Sequence, residues 1–275
     1  MSALTENARR ARELWSSSRR ILLLISLLLL VIAAVAGWSL QSYRPNREAF
    51  HGLPHLYSYR EAISSGQTEL CMMAVNPDNI VLRAAGSPLR PIAAYGINGG
   101  FFYRNDLLSI AIMNDVPVSG VRNAYGSGWF NAKYPRGTLV WDGKERQFSV
   151  QVVSSGDEIA VSDRNHYFAQ GGISMNLADE AAWLEQATQE HLPFADERRM
   201  RSGLIYNNAG DVWLIVTPTL CTAAEFRTAI LETVPGDGRE GIFLDGDGSS
   251  QMNADEAVLP GDSRPVVQMI AIDGG

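Results

Sequence analysis

Two hydrophobic patterns divide the chain. Ile21 to Trp38 reads ILLLISLLLLVIAAVAGW, eighteen residues without a charge. At helical rise such a run covers ~27 Å, close to the hydrocarbon thickness of a bilayer. A half-exposed helix needs a polar face, which this run lacks. Arg9, Arg10, Arg12, Arg19 and Arg20 precede it, against Glu6 and Glu13, and Arg44 and Arg47 are the nearest positive charges after it. The asymmetry predicts a single membrane pass with the N-terminus cytoplasmic and the rest extracytoplasmic. Ala34-Val35-Ala36 has the small-x-small form of a signal-peptidase site. A signal peptide cleaved after Ala36, releasing a periplasmic or secreted product, therefore stands beside a retained signal anchor.

After the apolar run the pattern changes. Residues 39–59 are polar, with Pro45, Gly52 and Pro54, and read as a linker. Short apolar runs then predict strands at Glu69–Val75, Asn79–Ala84, Leu107–Met113, Gly137–Trp141, Phe148–Val153, Leu204–Asn207, Val212–Val216 and Gly241–Leu244. Ala178–Glu190 is rich in helix formers. Thr222-Ala223-Ala224-Glu225 is a capping box, followed by Phe226, Ile230 and Val234 on one stripe and stopped at Pro235-Gly236. Many short strands with few helices predict an α+β or mixed α/β fold, one domain over 60–275 with a mixed central sheet. The predicted organisation is a cytoplasmic leader (1–20), a membrane or signal helix (21–38), a linker (39–59) and that domain.

Charge follows the same division. The 275 residues carry a formal net charge of −7. Residues 1–44 hold six arginines and two glutamates, which leaves 17 basic and 28 acidic residues for the remainder. So acidic a domain excludes a general nucleic-acid binder, which needs a basic face for phosphate. Cys71 and Cys221 have no zinc-site spacing. In an oxidising compartment a long-range disulfide between them is allowed, and two buried free thiols are the equal alternative.

Two glycine-rich loops carry the candidate chemistry. Asn98-Gly99-Gly100-Phe101-Phe102 follows the apolar segment Ile92–Ile97, and Asp245-Gly246-Asp247-Gly248-Ser249-Ser250 follows Ile242–Leu244. Glycines let a backbone turn sharply and approach a ligand closely. The second loop places two carboxylates and two hydroxyls within six residues at the mouth of a buried strand. An ordinary tight turn is the alternative for Asn-Gly-Gly.

These motifs, in this order and separation, resemble the phosphodiester glycosidase domain family over roughly Leu70 to Ile272. Arg201-Ser202-Gly203-Leu204-Ile205 looks like the family's arginine element, and Ala169 to Ile173 like its middle glycine segment. Asp247 departs from the family pattern, standing where glycine is usual. The resemblance implies hydrolysis of a sugar-1-phosphodiester at the anomeric carbon, on a glycan or glycolipid-type substrate. It implies Asp245 as base, nucleophile or electrostatic stabiliser, and Arg201 as a forked phosphate contact. Asn98, Gly99, Gly100, Gly246, Asp247, Gly248, Ser249 and Ser250 form the implied substrate-binding set. A non-catalytic glycan- or partner-binding protein on the same fold is the alternative. No cofactor is implied. A calcium loop is a competing reading of the same residues, with Asp245, Asp247, Ser249, Gln251, Asn253 and Glu256 at positions 1, 3, 5, 7, 9 and 12. The four histidines suggest no metal site or catalytic triad.

Overall fold

The computed structural model describes residues 25–33 and 49–273. The chain divides into two units, 1–44 and 45–275. In the first, residues 25–33 form a helix, α1, with exposed side chains. Among the described residues no helix is long and apolar enough to cross a membrane. The expected span over 21–38, and the single-pass location drawn from it, are corrected on that ground. The leader 1–20, residues 21–24 and 34–38, and residues 39–48 of the linker lie outside the described residues.

The second unit is built from antiparallel sheets. A six-stranded sheet orders β1 (Tyr57–Ile63), β2 (Glu69–Val75), β14 (Val212–Cys221), β13 (Arg199–Tyr206), β15 (Glu240–Phe243) and β12 (Ile173–Ser174). A five-stranded sheet orders β10 (Gln147–Val153), β9 (Arg136–Asp142), β11 (Tyr167–Gly171), β7 (Ala111–Met113) and β8 (Val116–Pro117). A second five-stranded sheet orders β17 (Val258–Leu259), β16 (Met252–Asn253), β4 (Tyr95–Asn98), β18 (Val266–Ile272) and β3 (Ile80–Ser87). A small hairpin joins β5 (Phe102–Tyr103) to β6 (Asp106–Leu107).

The expected mixed central sheet, and with it the α+β or mixed α/β class, is therefore corrected. Every pairing among the described strands is antiparallel, and the fold is β-rich. The physical reason is burial on both faces. Along β2, Cys71, Met73 and Val75 enter a core shared with the other two large sheets, while Leu70 and Met72 enter a second core under the helices. β14 alternates in the same way, with Val212, Leu214 and Val216 against Trp213 and Ile215. A strand buried on both sides reads as a continuous apolar run, the pattern usually met in parallel sheets.

The second core is closed by α2 (Trp183–Gln189) and α3 (Ala223–Thr233), which contribute Trp183, Ala187, Phe226, Ala229 and Ile230. α2 is shorter than the predicted Ala178–Glu190. The Asp179 carboxylate accepts from the Ala181 and Ala182 N–H groups, holding 178–182 as turns ahead of the helix. α3 opens with the predicted box: Glu225 N–H donates to Thr222 Oγ1 (3.1 Å) and Thr222 N–H donates to Glu225 Oε2 (2.8 Å). Thr222→Ala leaves one helix-terminal N–H unpaired and is expected to lower stability by about 1 kcal/mol in urea unfolding.

Candidate active site

The two glycine-rich loops meet at the edge of the sheets. β4 ends at Asn98 and β15 ends two residues before Asp245. Asp245 N–H donates to Gly99 O (3.3 Å). The buried Asn98 side chain joins them. Its Nδ2 donates to Asp245 O (2.8 Å) and Gly99 O (3.2 Å). Its Oδ1 accepts from Ser202 Oγ (2.8 Å) and Gln251 N–H (3.1 Å). Both lone-pair directions and both donors are thus used within the protein, leaving nothing of the amide for a sugar hydroxyl.

Gly99 and Gly100 pack against the buried Gln268 of β18. Gly99 N–H donates to Gln268 O (3.0 Å), and Gly100 N–H donates to Gln268 Oε1 (3.0 Å). Gln268 Nε2 in turn donates to Gln170 Oε1 on β11 (2.6 Å). A Cβ at position 99 would collide with the Gln268 amide. The glycine here serves close packing of backbone on side chain.

The Asp245 carboxyl is partly enclosed. Burial is the largest influence on it and pushes its pKa up to about 6. Hydrogen bonds from Ser249 and from the Gly246 N–H, together with the positive charge of Arg264, oppose that rise. The nearby Asp247 carboxylate adds to it. Asp247 sits at φ 56°, in the left-handed region that favours glycine. Its Oδ2 accepts from Arg199 Nη1 (2.7 Å), which ties this strained turn to β13. Arg264 is paired with Asp262, and a Cβ at Gly248 would meet both side chains. Ser249 and Ser250 are buried, and the Ser250 hydroxyl has no partner among the described residues.

Arg201 lies beside this loop, its Cδ 4.0 Å from where a Gly246 Cβ would stand. Its guanidinium faces carbonyls: Nη2 donates to Phe194 O (2.7 Å) and Glu197 O (2.8 Å), and Nε to Cys221 O (3.3 Å). Burial holds its pKa below the usual arginine value. The geometry makes Arg201 a fastener of the 194–197 loop. The cations that face the two carboxylates are Arg199 and Arg264, neither of which belongs to a motif. Ser202 lies in the arginine element with no role assigned to it there, and Gln268 belongs to no motif, although a glutamine inside the run VVQMIAI is an anomaly that points to a buried partner.

Three residues of the calcium spacing have other partners. Gln251 Oε1 accepts from Leu89 N–H (2.8 Å) and its Nε2 donates to Arg264 O (2.8 Å). Asn253 Nδ2 donates to Leu89 O (2.7 Å), and Glu256 pairs with His55 and Tyr57. Among the described residues no group of three or more His, Cys, Asp or Glu is placed to hold a metal. Cys71 and Cys221 are buried free thiols.

Asn98→Ala removes four hydrogen bonds and strands three or more buried groups. We expect a loss of about 2–4 kcal/mol in urea unfolding. Asp245→Asn has the opposite sign at neutral pH. A carboxyl whose folded pKa lies above its unfolded value favours folding at low pH, and that advantage is lost as pH rises through about 6. The asparagine variant escapes the cost of ionising. It is expected to be more stable than the parent by about 2 kcal/mol at pH 7.5, with the gap closing toward pH 4.

No protein-family model matches the chain, and no curated protein matches it. Among solved structures it is similar to the catalytic domain of zebrafish N-acetylglucosamine-1-phosphodiester alpha-N-acetylglucosaminidase, auto-inhibited by its pro-peptide. That similarity has a TM-score of 0.58 at 13% identity and covers 82% of this chain and 86% of the other. A hypothetical protein from Synechocystis is similar at a TM-score of 0.46 and 17% identity, over 78% of this chain and 61% of that one. The second likeness is too loose to carry an argument. The first shows a shared fold with a phosphodiester glycosidase catalytic domain.

Proposed function

We propose that the chain is a hydrolase of sugar-1-phosphodiesters, cleaving at the anomeric carbon with Asp245 as its central carboxylate. The observation that carries this reading is the Asp245 carboxyl itself, with a pKa pushed up to about 6 inside a turn clasped by Asn98. A group poised near working pH is suited to proton transfer or to stabilising developing positive charge. The fold shared with a glycosidase that acts on such diesters supports the substrate class.

The chemistry distributes simply. A phosphate leaving group is a weak base, so its protonation matters little. The carboxylate of Asp245 activates water or meets an oxocarbenium-like centre. Ser249 and the Gly246 N–H fix its orientation. Arg264, whose charge already reaches Asp245, replaces Arg201 as the proposed phosphate contact. Arg201 is a positioning residue. Gly99 and Gly100 keep the backbone low beside the turn. A glycan-binding protein without turnover remains the alternative outcome.

The test is release of N-acetylglucosamine from an N-acetylglucosamine 1-phosphodiester, repeated on a panel of other sugar diesters. Asp245→Asn is expected to lose about 10²–10⁴-fold in kcat while staying folded. In the parent, kcat/KM is expected to fall as pH drops through about 6, because the carboxylate is the working form. Absence of turnover across the panel by the folded protein would remove the enzymatic reading.

A further inference from the structure

A concavity opens beside the Asn98–Phe102 loop. It encloses about 900 Å³ and is lined by residues of 102–108, 123–136 and Ser154, with no contribution from Asn98, Asp245, Asp247 or Ser249. Its walls are aromatic. Tyr103, Tyr125 and Tyr134 are 61%, 70% and 38% exposed, respectively, and Phe102 and Phe130 complete the lining. Tyr134 is held in place by stacking on His191, with centroids 3.8 Å apart. So much exposed aromatic surface around one cavity is costly in water unless something covers it.

The cavity wall also carries a cation. Arg136 is only 9% exposed, and its Nε donates to Glu190 O (3.0 Å). Its Cζ lies 5.4 Å from the Phe101 ring centroid. The Glu190 carboxylate contributes a favourable charge but is already taken by the Gly137 N–H, the Ser174 N–H and Gln186. Among the described residues the two Nη groups of Arg136 have no protein hydrogen-bond partner. Burial lowers the Arg136 pKa, as expected of a cation that lacks a full complement of partners. Lys133, exposed on the rim, adds a second positive charge.

We propose that this cavity binds an anionic saccharide, with sugar faces on the tyrosines and an oxyanion pair on the Arg136 fork. Tyrosine rings offer an apolar face with a polar edge, which matches the C–H face and hydroxyl rim of a pyranose. A guanidinium with two open Nη groups matches a carboxylate or phosphate bidentately. Net charge disfavours a long nucleic acid as the occupant. The whole chain carries −7, which repels a polyanion, whereas one or two local cations suffice for a saccharide with a few acidic groups. The site is distinct in its residues from the Asp245 turn, and binding here does not depend on hydrolysis there.

Isothermal titration of the full chain with trigalacturonate tests it, with the methyl ester of the same trisaccharide and trithymidylate as comparisons. Trigalacturonate is expected to bind, and the ester about tenfold or more weakly, as a lost charge-assisted pair requires. Arg136→Gln should weaken trigalacturonate by about tenfold. Tyr125→Ala and Lys133→Gln, both at exposed positions, should each weaken it several-fold without shifting the unfolding temperature. Asp245→Asn should bind as the parent does, which separates this site from the proposed hydrolysis. The proposal is overturned if trigalacturonate does not bind at millimolar concentration, or if the ester binds equally. It is also overturned if Tyr125→Ala and Lys133→Gln both bind as the parent does, or if trithymidylate binds as tightly.

Discussion

The Asn98 side-chain amide holds together elements that come from distant parts of the chain. Ser202 belongs to the six-stranded sheet, Gln251 precedes β16, Asp245 follows β15, and Gly99 continues from β4. Burying an amide without partners is expensive, and satisfying all four of its hydrogen-bonding positions turns that expense into a specific geometry. Only one relative placement of these loops satisfies them together. The Gln268–Gln170 pair does the same on the other side of the Gly99–Gly100 turn, linking β18 to β11. Two buried amides thus fix the seam at which the sheets meet, and the Asp245 turn is mounted on that seam.

The chemistry of Asp245 is a consequence of this mounting. Its backbone is held by contacts to Gly99 and Asn98, and its carboxyl is bonded by Ser249 and the Gly246 N–H. Burial raises its pKa, and Ser249, Gly246 and Arg264 stop the rise near 6 instead of allowing full neutralisation. Asp247 accepts a left-handed backbone to complete the turn and is compensated by Arg199. Local strain offset by surrounding bonds is characteristic of sites that do chemistry.

Much of this was legible in the sequence, and the failures have physical causes. The α3 cap was readable because a capping box is local, its two halves three residues apart. β2 and β14 were readable because each carries an unbroken apolar run, Leu70–Val75 and Val212–Val216, and β10 because Phe148, Val150 and Val152 alternate with polar residues. Strand direction was not, since burial on both faces erases the alternation that marks an antiparallel sheet. β18 pairs with β3 and β4, and nothing local records partners nearly 200 residues away. Asn98, Asp245 and the glycines were marked by their motif, yet their roles were not. An asparagine that clasps and one that binds sugar look alike in sequence. Arg201 illustrates the same limit: a guanidinium donates equally well to a phosphate or to the Phe194 and Glu197 carbonyls. The 245–256 spacing likewise does not record that Gln251 and Asn253 turn toward the 89–94 segment.

The most direct test of the account is the titration of the Asp245 carboxyl itself. Carbon-13 NMR of the protein labelled at aspartate, with Asp245 assigned by its loss in Asp245→Asn, follows that single group. The account predicts a midpoint near 6, rising further in Ser249→Ala as a bond to the ionised form is removed. A midpoint near 3.8, the ordinary aspartate value, would contradict it.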